Sequence, residues 1–187
     1  RRVLFRSFIY IISIVKTSVL IMKISTEDIL TKVSELAASI SGYYSNIIKT
    51  DKLNIVVPMA GGVPFAVDLL REIISPSPEK ILISYVFTDG NHWNFTGSKP
   101  KKGCPILIIE DIYDTGDTLS KLIQYLIDNY SPTDLKVVVM LNKRIKKNVE
   151  VDIDWCGFDI EDTWVYGYGM DDDKGTRRQL SFISDEK

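Results

Sequence analysis

Pro105-Ile106-Leu107-Ile108-Ile109-Glu110-Asp111-Ile112-Tyr113-Asp114-Thr115-Gly116-Asp117-Thr118-Leu119 is the stretch that decides the fold. Its first five residues, Pro105 to Ile109, are a continuous apolar run, the pattern of a strand buried on both faces, and the spacing predicts that it stops at the adjacent carboxylates Glu110 and Asp111. Asp114, Thr115 and Gly116 are turn and cap residues. From Thr118 on, Leu119, Leu122, Ile123, Leu126 and Ile127 fall at helical spacing. The unit is therefore a strand, an acidic tip, a tight loop and a helix. Ligands of open parallel sheets bind beyond the carboxyl ends of the strands, and the free N–H groups of a helix N-terminus suit a phosphate. Carboxylates for a polyol and amides for a phosphate thus come together in one loop.

The flanking sequence repeats the alternation of strand and helix. Upstream, Ser25 or Thr26 caps a helix whose first turn holds Glu27 and Asp28, and Ile29, Leu30, Val33, Leu36, Ala37 and Ile40 form its apolar face. Leu53-Asn54-Ile55-Val56-Val57-Pro58 reads as a buried strand, followed by Met59-Ala60-Gly61-Gly62 and a helix from about Pro64 to Ile74. Two glycines at a strand's carboxyl end let the backbone approach a ligand, although the same pair also describes a tight turn. Ile81 to Phe87 and Leu135 to Leu141 are further strands. Between Phe87 and the central motif lie 18 residues, Thr88 to Pro105, rich in Gly, Asn, Lys and Ser, which read as a lid-like loop without periodicity. The single histidine, His92, sits in it and receives no role.

Composition bounds the class. The chain has 187 residues, 45% hydrophobic and 26% charged, enough for one globular domain with a substantial core. Its net charge is −2, but Arg1, Arg2, Arg6 and Lys16 lie in the first 21 residues; the rest holds 19 basic against 25 acidic residues, a balance of −6, which argues against a nucleic-acid surface. Cys104 and Cys156 are too few for a disulfide framework and lack metal-ligand spacing, so both read as small core residues in a reducing cytoplasm. Residues 1–21 are apolar but broken by Lys16-Thr17-Ser18, too short for a membrane span and without a signal-peptide cleavage site. They are expected to be a non-native or upstream-translated extension, with a membrane anchor as the alternative reading, ahead of a domain over 22–187 without stable membrane association.

Glu110-Asp111-Ile112-Tyr113-Asp114-Thr115-Gly116-Asp117-Thr118 resembles the phosphoribosyl pyrophosphate (PRPP) motif of the type I phosphoribosyltransferases, and the likeness extends over about residues 25 to 184. It implies a parallel sheet of about five strands flanked by helices, with a small hood built mainly from 142–187. The 6-oxopurine members, those acting on hypoxanthine, guanine or xanthine, are the most similar. The resemblance implies transfer of phosphoribose from PRPP to such a base with Mg²⁺, in a homo-oligomer, dimer or tetramer. Glu110 and Asp111 would bind the ribose hydroxyls and, with Asp171, the metal; Asp114 would be the general base. Thr115, Gly116, Asp117 and Thr118 would hold the ribose phosphate, and Ala60, Gly61, Gly62 and Arg178 the pyrophosphate. The family often has Lys where Ala60 stands here, and an acid at position 117 opposes a phosphate, so either its side chain points outward or PRPP affinity suffers. A mobile catalytic loop is expected to begin near Ser84-Tyr85.

Lys143 would donate to the exocyclic oxygen of the purine, with Trp164 stacking on the base and Val165 exposing backbone to its edge. On residue pattern alone Lys143 also fits a solvated cluster with Arg144, Lys146 and Lys147, Trp164 fits a core, and Asp171 to Asp173 fit a polar turn. Arg177 competes with Arg178, which counting back from Leu180 favours. A different class, a PRPP-sensing regulator of nucleotide metabolism, shares the fold; the acidic balance disfavours its RNA-binding form.

Overall fold

In a computed structural model, residues 22–73, 77–90 and 92–186 are described; the reading of residues 1–21 as an extension lies outside them. The elements in order are β1 (Lys23–Ile24), α1 (Thr26–Tyr44), α2 (Ile47–Thr50), β2 (Leu53–Pro58), α3 (Gly62–Glu72), β3 (Ile81–Thr88), β4 (Trp93–Gly97), β5 (Ile106–Tyr113), α4 (Asp117–Tyr130), β6 (Leu135–Lys143), β7 (Trp155–Ile160) and β8 (Ile183–Ser184). Ser25 caps α1 in a capping box with Asp28, its side chain accepting from the Asp28 N–H at 3.1 Å. The main sheet has the order β4-β3-β2-β5-β6-β7, with β1 and β8 forming a separate antiparallel pair.

The five strands β3, β2, β5, β6 and β7 are parallel, as expected, and β5 lies between β2 and β6. Its apolar residues divide between two cores. Leu107 and Ile109 pack with α1 and α3 residues such as Ile40 and Phe65, while Ile106 and Ile108 pack with Leu119, Leu122 and Leu126 of α4. Burial on both faces explains the unbroken apolar run.

Three expectations are corrected. Strand β5 does not stop at Glu110-Asp111 but continues through Tyr113, because Ile112 and Tyr113 still pair with Leu141 and Asn142 of β6. The segment 88–105 is not a structureless loop, and no loop begins at Ser84-Tyr85. Both residues lie inside β3, which turns into an antiparallel edge strand pairing Tyr85 with Thr96 and Thr88 with Trp93. Trp93 and Phe95, two residues apart on one face, pack against Tyr125 and Phe95 also against Tyr130, an alternation concealed by the polar residues around it. Finally, within the segment expected to build the hood, residues 155–160 extend the main sheet as β7, where Trp155 Nε1 donates to Ser39 Oγ at 2.9 Å. Beyond β7, the chain from Glu161 crosses above the sheet's carboxyl edge and returns as β8 onto β1.

Cys104 is buried, its thiol donating to Asp51 Oδ1 at 3.2 Å, and Cys156 is half-buried, its thiol pushed up to about 11 by burial. Neither has the depressed pKa of a reactive thiol. Among the described residues no helix is long and apolar enough to cross a membrane.

Candidate active site

The carboxyl ends of β5, β6 and β2 carry the polar residues picked out in the sequence. One cavity of about 240 Å³ is lined by Glu110, Asp111, Asp114, Thr115, Gly116 and Thr118 among others. Another, of about 140 Å³, is lined by Asp111, Ile112, Asp114, Lys143, Trp164, Val165, Met170 and Asp171. Asp111 and Asp114 line both, so the two form one continuous site with a phosphate side and a hood side.

On the phosphate side, Gly116 takes φ +90° and delivers the chain into α4, whose first-turn N–H groups are free of any side-chain cap. Glycine is required there twice over, since an added Cβ would also lie 2.0 Å from the carbonyl oxygen of Val149. Asp117, the acid in this loop, is engaged by its neighbours. Its Oδ2 accepts from the Thr115 hydroxyl at 2.8 Å and from Asn148 Nδ2 at 2.7 Å, and the Asn148 and Thr115 bonds hold its carboxyl below the usual range.

Glu110 is 9% exposed, and desolvation, reinforced by the neighbouring Asp111 carboxylate, pushes its pKa well above the ordinary carboxylate value. Asp111 lies against the second glycine loop. A Cβ on Gly61 would sit 1.7 Å from Asp111 Oδ2, and one on Gly62 3.1 Å from the Ile109 carbonyl. The adjacent glycines therefore exist to let the β2–α3 loop close on the end of β5, more than to make a turn. The Met59–Ala60 peptide in this loop is cis, and Ala60 is exposed.

On the hood side, Lys143 is buried and its Nζ donates to Asp114 Oδ2 at 2.8 Å. This separates it from the solvated cluster with which it was grouped by sequence, since Arg144 and Lys146 are exposed. Trp164 is 63% exposed, held by its indole N–H to the Asp171 carbonyl at 3.2 Å, whereas Val165 is buried. An indole left this open at the edge of a polar cavity is not a core residue. Of the two candidate arginines, Arg178 pairs with a residue that lines the cavity, Asp171, at 2.7 Å. It also donates to the Gly169 carbonyl at 2.6 Å, while Arg177 turns to Asp172 at 3.3 Å and the ring of Tyr166.

The hood meets the glycine loop directly, for a Cβ on Gly169 would lie 2.1 Å from the Gly61 carbonyl oxygen, and Tyr168 donates to Asp68 of α3 at 2.9 Å. His92 is solvent-exposed, 3.7 Å from Asp89 and far in sequence from these strand ends. Sequence reasoning missed the chain from Lys147 to Val151, which lies across the phosphate loop. Nothing in the local sequence around Gly116 signals that neighbour.

A parallel sheet covered on both faces, with an acidic strand end, two glycine-bearing loops and an exposed indole gathered beyond its strands' carboxyl ends, has the architecture of an α/β enzyme that binds its ligands there. The chain belongs to the phosphoribosyl transferase domain family, whose pattern it matches over residues 25–173. It is 32% identical to the hypoxanthine phosphoribosyltransferase of Haemophilus influenzae over 79% of this chain and 85% of that protein. It is 31% identical to the hypoxanthine-guanine phosphoribosyltransferase of Mycobacterium avium over 86% of this chain and 82% of that one. Among solved structures it resembles a hypoxanthine-guanine phosphoribosyltransferase of Bacillus anthracis, with a TM-score of 0.75 and 26% identity over 88% of this chain and 96% of the other.

Proposed function

We propose that this protein transfers the phosphoribosyl group of PRPP to a 6-oxopurine, hypoxanthine, guanine or xanthine, releasing pyrophosphate and a purine nucleoside monophosphate. The observation that carries the reading is the buried Lys143 ammonium, paired with Asp114 in the cavity beneath Trp164. Relatives named for hypoxanthine and guanine support the same substrate class.

The base would stack on Trp164, with the backbone at Val165 facing its edge. Lys143 would donate to the exocyclic oxygen, which adenine replaces with an amino group that cannot accept from an ammonium. As the purine N9 bonds to C1 of the ribose and the bond from C1 to pyrophosphate breaks, Asp114 would take the proton from N7. The α4 N-terminus, with Thr115, Gly116, Asp117 and Thr118, would hold the 5-phosphate through backbone N–H groups. Because the Thr115 hydroxyl is engaged by Asp117, its share falls to the main chain. Glu110 and Asp111 would accept from the ribose hydroxyls, and Ala60, Gly61, Gly62 and Arg178 would face the pyrophosphate.

Magnesium is bound by one or two protein carboxylates completed by substrate phosphates, rather than by an all-protein cage. The site fits that mode. Asp111 and Asp171 line the same cavity, while among the described residues no cluster of three or more acidic, histidine or cysteine side chains could hold an ion unaided. Bound by those carboxylates, with Glu110 nearby, Mg²⁺ would neutralise charge on the departing pyrophosphate. Pyrophosphate release measured with PRPP, Mg²⁺ and each of hypoxanthine, guanine, xanthine, adenine and orotate tests the proposal. Turnover is expected with at least one oxopurine and little with adenine or orotate, and silence with all five would overturn it.

A further inference from the structure

The chain leaving β6 doubles back over both halves of the site. Lys147 Nζ donates to the carbonyl of Lys143 at 2.7 Å and to the carbonyl of Tyr113 at 3.1 Å, and it lies 4.0 Å from the centroid of the Tyr113 ring. These carbonyls close the ends of β6 and β5. The ladder between the two strands finishes with Tyr113 opposite Asn142, so the ammonium bridges the strands where their own pairing stops. The next residue after Tyr113 is Asp114, and the residue whose carbonyl it grips on the other side is Lys143.

Neither a solvated lysine nor a simple substrate contact has this geometry. Burial depresses the Lys147 ammonium, and the Asp114 carboxylate is the first charge that opposes the depression. The side chain accepts partial desolvation for two carbonyl bonds and a cation–π contact. The neighbouring residue grips the other half of the site. The N–H groups of Asn148 and Val149 donate to the Thr115 carbonyl at 2.9 and 3.2 Å, while the Asn148 amide holds Asp117.

We infer that Lys147 is a positioning residue for base recognition: by tying the carbonyls of Tyr113 and Lys143 together, it sets the separation at which Lys143 and Asp114 meet the purine. Asn148 plays the corresponding part for the phosphate loop. The inference rests on the oxopurine reading above. An error of about 1 Å in the placement of a recognition group is costly even when the group itself is intact.

The test is steady-state kinetics of Lys147→Met, Lys147→Arg and Asn148→Ala, varying the oxopurine and PRPP separately. Lys147→Met should raise the KM for the base about tenfold, the scale of one charged hydrogen bond misplaced, while the KM for PRPP moves by less than about twofold. Lys147→Arg, which keeps charge and donors, should recover most of the loss. Asn148→Ala should show the reverse split. A merely structural lysine would lower kcat through a smaller folded fraction and leave both KM values in place. That result, or an equal rise in both, overturns the inference while leaving the function intact. Should Lys147→Met fail to fold, Lys147→Gln is read in the same way. Wild-type protein inactive with every oxopurine would overturn the functional reading, and this inference with it.

Discussion

Lys143 and Asp114, 29 residues apart in sequence, meet at 2.8 Å across the ends of two adjacent parallel strands, Lys143 almost fully buried and Asp114 44% exposed. A buried ammonium needs a partner, and without substrate the only carboxylate that satisfies it among the described residues is the proposed base. The contact sets a donor, the Lys143 Nζ, beside an acceptor, the Asp114 carboxylate, at the mouth of one cavity. A purine with an exocyclic oxygen and an N7 proton matches that pair, presenting an acceptor to Lys143 and a donor to Asp114.

From this pairing, Asp114→Asn should lower kcat by about a hundredfold, the scale of a positioned general base, with little change in PRPP affinity. Single-turnover rates and PRPP titrations on the same protein separate the two effects. An equal loss of PRPP affinity would assign Asp114 to shaping the loop.

Gly61→Ala tests the close approach of the two loops. Gly61 has ordinary helical φ of −60°, so the added methyl carries no backbone strain, and its whole effect comes from displacing the Asp111 carboxylate 1.7 Å away. Affinity for PRPP with Mg²⁺ should fall by about tenfold or more, the scale of losing charged hydrogen bonds, with the melting temperature nearly unchanged. Calorimetric titration and a thermal melt check both halves.

Asp117 gives a pH signature. Its carboxyl is held below the usual range first by Asn148 and then by Thr115, so the folded pKa is lower than the unfolded one. The linked stability is present above the ordinary carboxylate pKa and is lost as pH falls through the depressed folded value. Asn148→Ala should raise the Asp117 pKa in a carboxyl NMR titration. The difference in melting temperature between wild type and variant should be present at neutral pH and shrink in acid; a difference that does not change with pH would contradict the linkage.

The central unit was legible because several local signals agree: a double-sided apolar run, carboxylates at its end, turn and cap residues after them and a periodic helix. The same logic located β2 and β6, whose buried runs are continuous, and β3, whose apolar run is interrupted only by Ser84. It failed where burial is one-sided or the partner is remote. Strand β4 has only Trp93 and Phe95 to mark it, and what buries them is an aromatic cluster on α4 some thirty residues away. Strand β7 contains Gly157 and a polar Asp159, and nothing in its own residues distinguishes it from the hood that follows. Lys143 was set apart from the basic run by its place at a strand's carboxyl edge and by the family resemblance, whereas Lys147 was not, because only the third dimension shows that its side chain turns inward to two carbonyls.

The most direct measurement is the ratio of kcat/KM for hypoxanthine to that for adenine, in wild type and in Lys143→Ala. Wild type should favour hypoxanthine strongly. The variant should lose hypoxanthine affinity by an amount near the ~1.5–3 kcal/mol of a charged hydrogen bond, and its ratio should narrow accordingly, while the KM for PRPP stays nearly constant. A variant that keeps both the affinity and the ratio would contradict the assignment of Lys143 as the reader of the exocyclic oxygen, and with it the choice of 6-oxopurines as substrates.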